Sequence, residues 1–188
     1  MLNVDLTNSR KHFRYKKMEK QHVNIENDEV TIPYYAIHKD GQIFGFFGSF
    51  RFLSNFFILE NGVSLDEVYY PSVEHAYQAA KWPYDQREQF LGVTAGGSKK
   101  LGKQAPKLNV RKWDKTKVSI MNSLCRQKFD KNGKLRQMLL MTEGCQLEER
   151  NSWGDIFWGT DMNGHGENIL GRILMNIRHD LLTNKEMF

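Results

Sequence analysis

Between Ser72 and Trp82 the chain reads SVEHAYQAAKW, and its polar residues are spaced for chemistry. At about 3.6 residues per helical turn, Glu74, Tyr77, Gln78 and Lys81 stand at i, i+3, i+4 and i+7 and project from one face. That face combines an acid, an amide and an amine. Such groups suit cleavage of a bond between a ribose C1′ and nitrogen. The reaction passes through an oxocarbenium-like state, which calls for a carboxylate near the sugar, a proton source for the departing base and aromatic faces for planar groups. Glu74 and Asp155 are the candidate carboxylates, and Trp113, Trp153 and Trp158 the candidate ring faces. Lys81, Lys99 and Lys103 are candidates to bind phosphate or, for an amine of lowered pKa, to attack C1′ as a Schiff-base nucleophile. Spacing alone leaves an ordinary reading beside this one, with tryptophans in the core and lysines in solvent.

Several elements must position these groups. Pro71 suits an early helical position, Ser72 lies in the first turn, and Pro83 stops the helix after Trp82. Upstream, the segment from Gly41 to Tyr70 is dense in aromatics, Gly and Asn, and Glu60-Asn61-Gly62 between apolar runs predicts a hairpin turn. Trp113, Val118, Met121, Leu124, Cys125 and Phe129 recur at helical spacing from Arg111 to Phe129, and Lys134 to Met141 predicts a shorter helix. CQLEE reads as a brief strand. A Gly-rich loop, WGDIFWGTDMNGHGEN, then feeds a helix whose apolar face is Ile169, Ile173, Leu174, Ile177 and Leu181. The expected fold is α+β, a helix-rich single domain with a small antiparallel sheet. We place it at residues 41–188, after a basic N-terminal extension over residues 1–40.

Composition limits the function classes. The chain has 188 residues with 40% hydrophobic content, enough for one domain with a real core. Cys125 and Cys145 form no CxxC or Cys/His cluster, so buried free thiols are expected rather than a disulfide framework or a zinc site, and no metal or other cofactor is called for. No apolar run approaches the roughly 20 residues that span a bilayer. The N-terminus, MLNVDLTNSRKHF, lacks the apolar core of a signal peptide, so a cytoplasmic protein without a membrane partner is expected. A net charge of +5 favours anionic partners. Six Lys/Arg and two aromatics fall within the eleven residues RKHFRYKKMEK, Arg10 to Lys20, which would let an arm neutralise nucleic-acid phosphates or remain a solvated segment. GSKKLGKQ, Gly97 to Gln104, nearly fits the phosphate-binding GxxxxGK[ST], but Gln104 stands where a hydroxyl should hold Mg²⁺. GxGxxG, GxSxG and HExxH are missing.

The ordered pieces FLSNFF, YYPSVEHAYQAAKW, SKKLGK, a following W, QKF, LLMTEGCQLEE, GDIFWG and GENILGRILMNIR together resemble the NADAR superfamily, which includes the YbiA-type N-glycosidases. The likeness covers about residues 43 to 180. It implies hydrolysis of an N-glycosidic bond in a ribosylated or ADP-ribosylated base, either ADP-ribosyl-guanine in nucleic acid or a ribosylamino-pyrimidine phosphate. The alternative within the same likeness is a non-catalytic module that binds NAD or ADP-ribose. Carried over position by position, the resemblance makes Glu74 the family's helix acid, with Gln78 and Lys81 beside it. It makes Ser54, Asn55, Phe56, Lys99, Trp158, Gly159 and Asn168 substrate contacts, with Asp155, Gly166, Leu170 and Gly171 in the matching loop motifs. On the combined reading Glu74, Lys81 and Asp155 are catalytic, and Lys103 and Trp113 join the substrate contacts. Lys103 stands where the family often has Arg, replacing a bidentate phosphate fork by a point charge. The loop TDMNGHGEN is unlike the family's, so contacts made there would be particular to this chain.

Overall fold

Ser72 decides where the central helix begins. In the computed structural model, which describes residues 20–25, 28–33, 41–106 and 108–183, Ser72 is extended and its hydroxyl accepts the N–H of His75. It is the N-cap of α1 (Val73–Ala79), one step outside the first turn that the sequence suggested for it. All seven residues of α1 are buried.

The rest of the chain is arranged around that helix. β1 (Lys20–Ile25) and β2 (Asp28–Pro33), among the residues expected to form an N-terminal extension, pair antiparallel. The basic run before them lies outside the described residues, apart from Lys20. β3 (Gln42–Phe44) leads into a 3₁₀ segment, Gly48–Leu53. β4 (Val63–Leu65) and β5 (Val68–Tyr70) then form a hairpin and deliver the chain to α1. After a second 3₁₀ segment, Tyr84–Phe90, come α2 (Ala95–Gly102), α3 (Val110–Asp130), α4 (Gly133–Leu140), β6 (Gln146–Glu148) and α5 (Ile169–Thr183). β6 pairs with β3, about a hundred residues earlier, in parallel. The fold is therefore α+β and helix-rich as expected, its strands divided into three two-stranded sheets of which two are antiparallel.

One local reading is corrected. Glu60-Asn61-Gly62 does turn the chain, but the hairpin's own turn is Asp66-Glu67, where both residues adopt the left-handed region (φ 48° and 68°). Such backbone matches the twist of a two-residue hairpin loop. Gly62 is needed for a different reason, since a Cβ there would sit 2.7 Å from the Tyr70 carbonyl. GSKKLGKQ, set aside as a phosphate loop on its sequence, is mostly helix α2, which Thr94 caps.

The core lies between α1, α3, α4 and α5. α1 packs on α2 and α3, and α5 packs on β6 and α3. Met121, Leu124, Cys125 and Phe129 of α3 and Leu170, Ile173, Leu174, Ile177 and Leu181 of α5 are buried there. Each large apolar side chain contributes about 1.5–3 kcal/mol on full burial. Val118, counted with the α3 face, is exposed. Cys125 and Cys145 are buried free thiols, and burial pushes the Cys125 thiol up to about 12, where it is chemically quiet. Among the described residues no helix is long and apolar enough to cross a membrane.

Candidate active site

A cavity of about 920 Å³ opens beside α1. The polar stripe of that helix forms one wall: Glu74, Tyr77, Gln78 and Lys81 all line it. They are wired together. Lys81 Nζ donates to Gln78 Oε1 at 2.7 Å, and Gln78 Nε2 donates to Glu74 Oε1 at 2.9 Å. Gly102 makes this possible, because a Cβ on that residue of α2 would lie 1.8 Å from Gln78 Oε1. His75, on the far side of the helix, has both ring nitrogens bonded, to Ser72 Oγ at 2.7 Å and Val93 O at 2.8 Å.

Other elements complete the wall. The turn after the first 3₁₀ segment brings Ser54, Asn55 and Phe56, and the Asn55 carbonyl accepts the Glu74 N–H at 2.9 Å. Ser54 Oγ accepts the Phe56 N–H at 3.2 Å. α2 contributes Lys99, and its C-cap Lys103 follows. Lys99 Nζ lies 5.8 Å from the Phe56 ring centre and 5.4 Å from that of Trp153, within cation–π range. Trp113 of α3 and Trp158 flank Tyr77, with ring centres 5.1 and 5.4 Å away, and Lys81 stands over Tyr77 and Trp113. Trp153 is exposed at the mouth, with Phe47 and Met162.

The loop after β6 is held by its own polar groups. Asp155 Oδ1 accepts the Trp158 N–H at 2.9 Å and the Phe157 N–H at 3.3 Å, so this carboxylate, expected to be free for chemistry, also fixes the ring at position 158. Asn151 Oδ1 accepts the Asp155 N–H, and its amide donates to the carbonyls of Asp155 and Thr160. Gly159 and Asn168, expected as substrate contacts, are absent from the cavity lining. A Cβ on Gly159 would stand 2.0 Å from the Glu149 carbonyl. Asn168 Oδ1 accepts the Glu149 N–H at 3.0 Å, and its amide donates to Leu147 O at 2.8 Å. Both residues brace the end of β6. The Gly159–Asn168 pair therefore acts on the backbone of Glu149, which lines the cavity.

Glu149 is what the sequence reading missed, together with Arg51 and Lys117 as lining groups. Burial, followed by the neighbouring charges of Asp155 and Glu74, pushes its carboxyl up to about 8 against the opposing pull of Lys99 and Lys128. Burial raises Glu74 too, while the Gln78 hydrogen bond and the Lys99 and Lys81 charges draw it back. Burial lowers Lys81, with Glu74 opposing and Lys99 and Lys103 reinforcing. The cavity thus holds a carboxyl that keeps its proton at neutral pH, a second carboxyl bonded to one amide, and an amine that loses its proton more easily than a free lysine. Among the described residues no three His, Cys, Asp or Glu are grouped to hold a metal ion.

The sequence pattern of the NADAR domain matches residues 37–182 of this chain. An N-glycosidase of Nostoc punctiforme is 30% identical over 157 residues, covering 81% of this chain and 93% of that protein. The N-glycosidase YbiA of Shigella boydii is 31% identical over 125 residues, 65% of this chain and 78% of that one. A riboflavin biosynthesis protein of Vibrio vulnificus is 35% identical over 133 residues, but this chain spans only 35% of its length. The solved structure of Escherichia coli YbiA superposes with a TM-score of 0.70 at 28% identity, covering 81% of this chain and 91% of that chain.

Proposed function

This chain belongs to the NADAR domain family, and from that premise we propose that it hydrolyses the N-glycosidic bond of a ribosylated or ADP-ribosylated base. A ribosylamino-pyrimidine phosphate and ADP-ribosyl-guanine are the two substrate types in view. The observation that carries the reading is a pair of carboxyls, the buried Glu74 and the half-buried Glu149, lining one aromatic-walled cavity with Lys81, Lys99 and Lys103. The volume is ample for a nucleotide, within the usual range of a few hundred to about 1,000 Å³. A module that only held an anionic ligand would gain nothing from carboxyls beside the phosphates.

The roles follow from the charges. Glu149, still protonated at neutral pH, gives its proton to the departing base nitrogen as the C1′–N bond breaks. Glu74 faces the positive charge that develops on the sugar. Lys81, as the neutral amine, forms the new bond to C1′. The ribosyl-lysine loses a proton, the ring oxygen leaves C1′ and is protonated, and water cleaves the resulting Schiff base to free ribose and the amine. Lys99 and Lys103 hold phosphate, and Trp113 and Trp158 hold planar groups. The basic run Arg10 to Lys20 would add contacts to nucleic-acid phosphates, and a nucleotide substrate sets the protein in the cytoplasm.

Incubating the full chain with NAD, ADP-ribose, ADP-ribosylated guanosine and the ribosylamino-pyrimidine phosphate, and following released base by mass spectrometry, tests the reaction. Binding without release would turn the protein into a ligand-binding module. Borohydride added during turnover should leave a ribosyl adduct on Lys81, and Lys81→Arg should abolish it with the activity. Full activity in that variant without an adduct would move the attack to water. Activity should also fall as pH rises through about 8, where Glu149 loses its proton.

A further inference from the structure

Lys128 of α3 is 1% exposed, the most deeply buried charged side chain among the described residues. Burying an ammonium is expensive unless it is paired or hydrogen-bonded, and an apolar residue would pack there without that cost. Its Nζ donates to Ser54 O at 2.9 Å and lies 5.8 and 5.2 Å from the Phe57 and Phe129 ring centres. Ser54 opens the turn that lines the cavity. The next residue, Asn55, donates its amide to Met121 Sδ at 3.3 Å, and its Oδ1 faces Cys125 Sγ at 3.7 Å. Met121, Cys125 and Lys128 stand at i, i+4 and i+7, one face of α3. That face grips the turn from behind, and the turn in front accepts the Glu74 N–H through Asn55 O.

We propose that Lys128 is a positioning residue for the cavity: its ammonium ties the Ser54–Asn55 turn, on which the Glu74 N–H rests, to α3. This rests on the hydrolase reading for its purpose, but not for its geometry. The charges that act on Glu149 come from every side, Glu74 on α1, Lys99 on α2, Lys128 on α3 and Asp155 on the loop. Cys125 and Glu149 act on Lys128. Burial draws the Lys128 amine down to about 8, and Glu149 together with Cys125 holds it up. The lysine in turn keeps Glu149 from rising further. Each ionisation supports the other.

The test is an NMR titration of the full chain, following the Glu149 carboxyl carbon in the wild type, Lys128→Met and Lys128→Arg. Lys128→Met keeps the length and removes the charge, so the Glu149 midpoint should rise by on the order of half a pH unit or more. Lys128→Arg should restore it. Amide exchange at Glu74 should speed up about tenfold in Lys128→Met as the Asn55 carbonyl loosens. The reciprocal measurement needs no change at Lys128: in Glu149→Gln the Lys128 ε-carbon should titrate lower than in the wild type. Exchange at Glu74 that stays at the wild-type rate would overturn the proposal, and should Lys128→Met fail to fold, midpoints that stay together across the remaining variants would do so. Midpoints that move as expected in a protein releasing no base would keep Lys128 as the positioning residue and remove the hydrolase reading instead.

Discussion

Helices α1 and α5 are both buried, and they use burial in opposite ways. α5 turns Leu170, Ile173, Leu174, Ile177 and Leu181 inward, and its buried cation, Arg178, makes three hydrogen bonds to neighbouring oxygens. The guanidinium donates to the Thr142 carbonyl, to Thr142 Oγ1 at 2.9 Å and to Cys145 O at 2.9 Å. α1 buries Glu74, His75 and Gln78. His75 has both ring nitrogens bonded. Glu74 has capacity left over: a carboxylate can accept about four hydrogen bonds, and its side chain receives one, from Gln78. Burial therefore does not mark a site by itself. A buried polar group with capacity left over toward a cavity does.

The strongest way to break this comparison is at Glu74. Glu74→Gln is near-isosteric and removes a carboxyl that burial already strains toward neutrality, so the fold should be as stable or more so. Turnover should fall on the order of 10²-fold or more, the scale of a lost acid–base or charge-stabilising group. Measured kcat and urea midpoint together decide it. An unchanged rate would make Glu74 as structural as Arg178.

Arg178→Met should give the opposite pattern. It removes the guanidinium bonds to the carbonyls of Thr142 and Cys145 in a buried turn, although Thr142 O keeps the Cys145 N–H at 3.0 Å, and the fold should lose about 2–4 kcal/mol. The kcat of the molecules that remain folded should hold. A drop in kcat without a drop in stability would mean that α5 transmits to the site, and that bonding to neighbouring oxygens is a poor guide to an architectural role.

How far the site could be read from the sequence follows the same division. The i, i+3, i+4, i+7 stripe of α1 is a local pattern, and the structure sets all of it against one cavity. Trp113 and Trp158 reach the same cavity from a helix and a loop that were legible as separate pieces, whereas Lys99 reaches it from α2, a helix the sequence reading did not mark. Glu149 was not legible. It follows a strand of three residues, too short for a period, and Glu148 beside it is bonded to Arg150 and Thr160, so the letters EER do not say which acid turns inward. That is decided by pairing with β3 and by Asn168, both distant in the chain. Asn168 and Gly159 lie outside the cavity lining for the converse reason. Their role is to hold the backbone around Glu149, and motif position alone cannot separate a residue that touches a ligand from one that aims its neighbour. Likewise, the hairpin turn fell on Asp66-Glu67 because left-handed backbone there suits the strand twist, although neither residue is a glycine.

A gentler probe separates the two faces of α1 from each other. Ser72 Oγ accepts the His75 N–H and is 2.7 Å from His75 Nδ1, while Val93 O can only accept, from Nε2–H. The hydroxyl therefore serves as helix cap and ring partner at once. Ser72→Ala removes both contacts and should cost about 1–2 kcal/mol, read as a lower urea midpoint with unchanged slope. Glu74 should be spared, because its N–H is held by Asn55 O and its carboxyl by Gln78, neither of which passes through Ser72. The kcat of the folded protein should accordingly stay within about twofold of the wild type, while a Glu74 variant loses far more. If Ser72→Ala lowered kcat as deeply as Glu74→Gln, the bonded face of the helix would belong to the chemistry after all, and leftover hydrogen-bonding capacity would no longer tell the two faces apart.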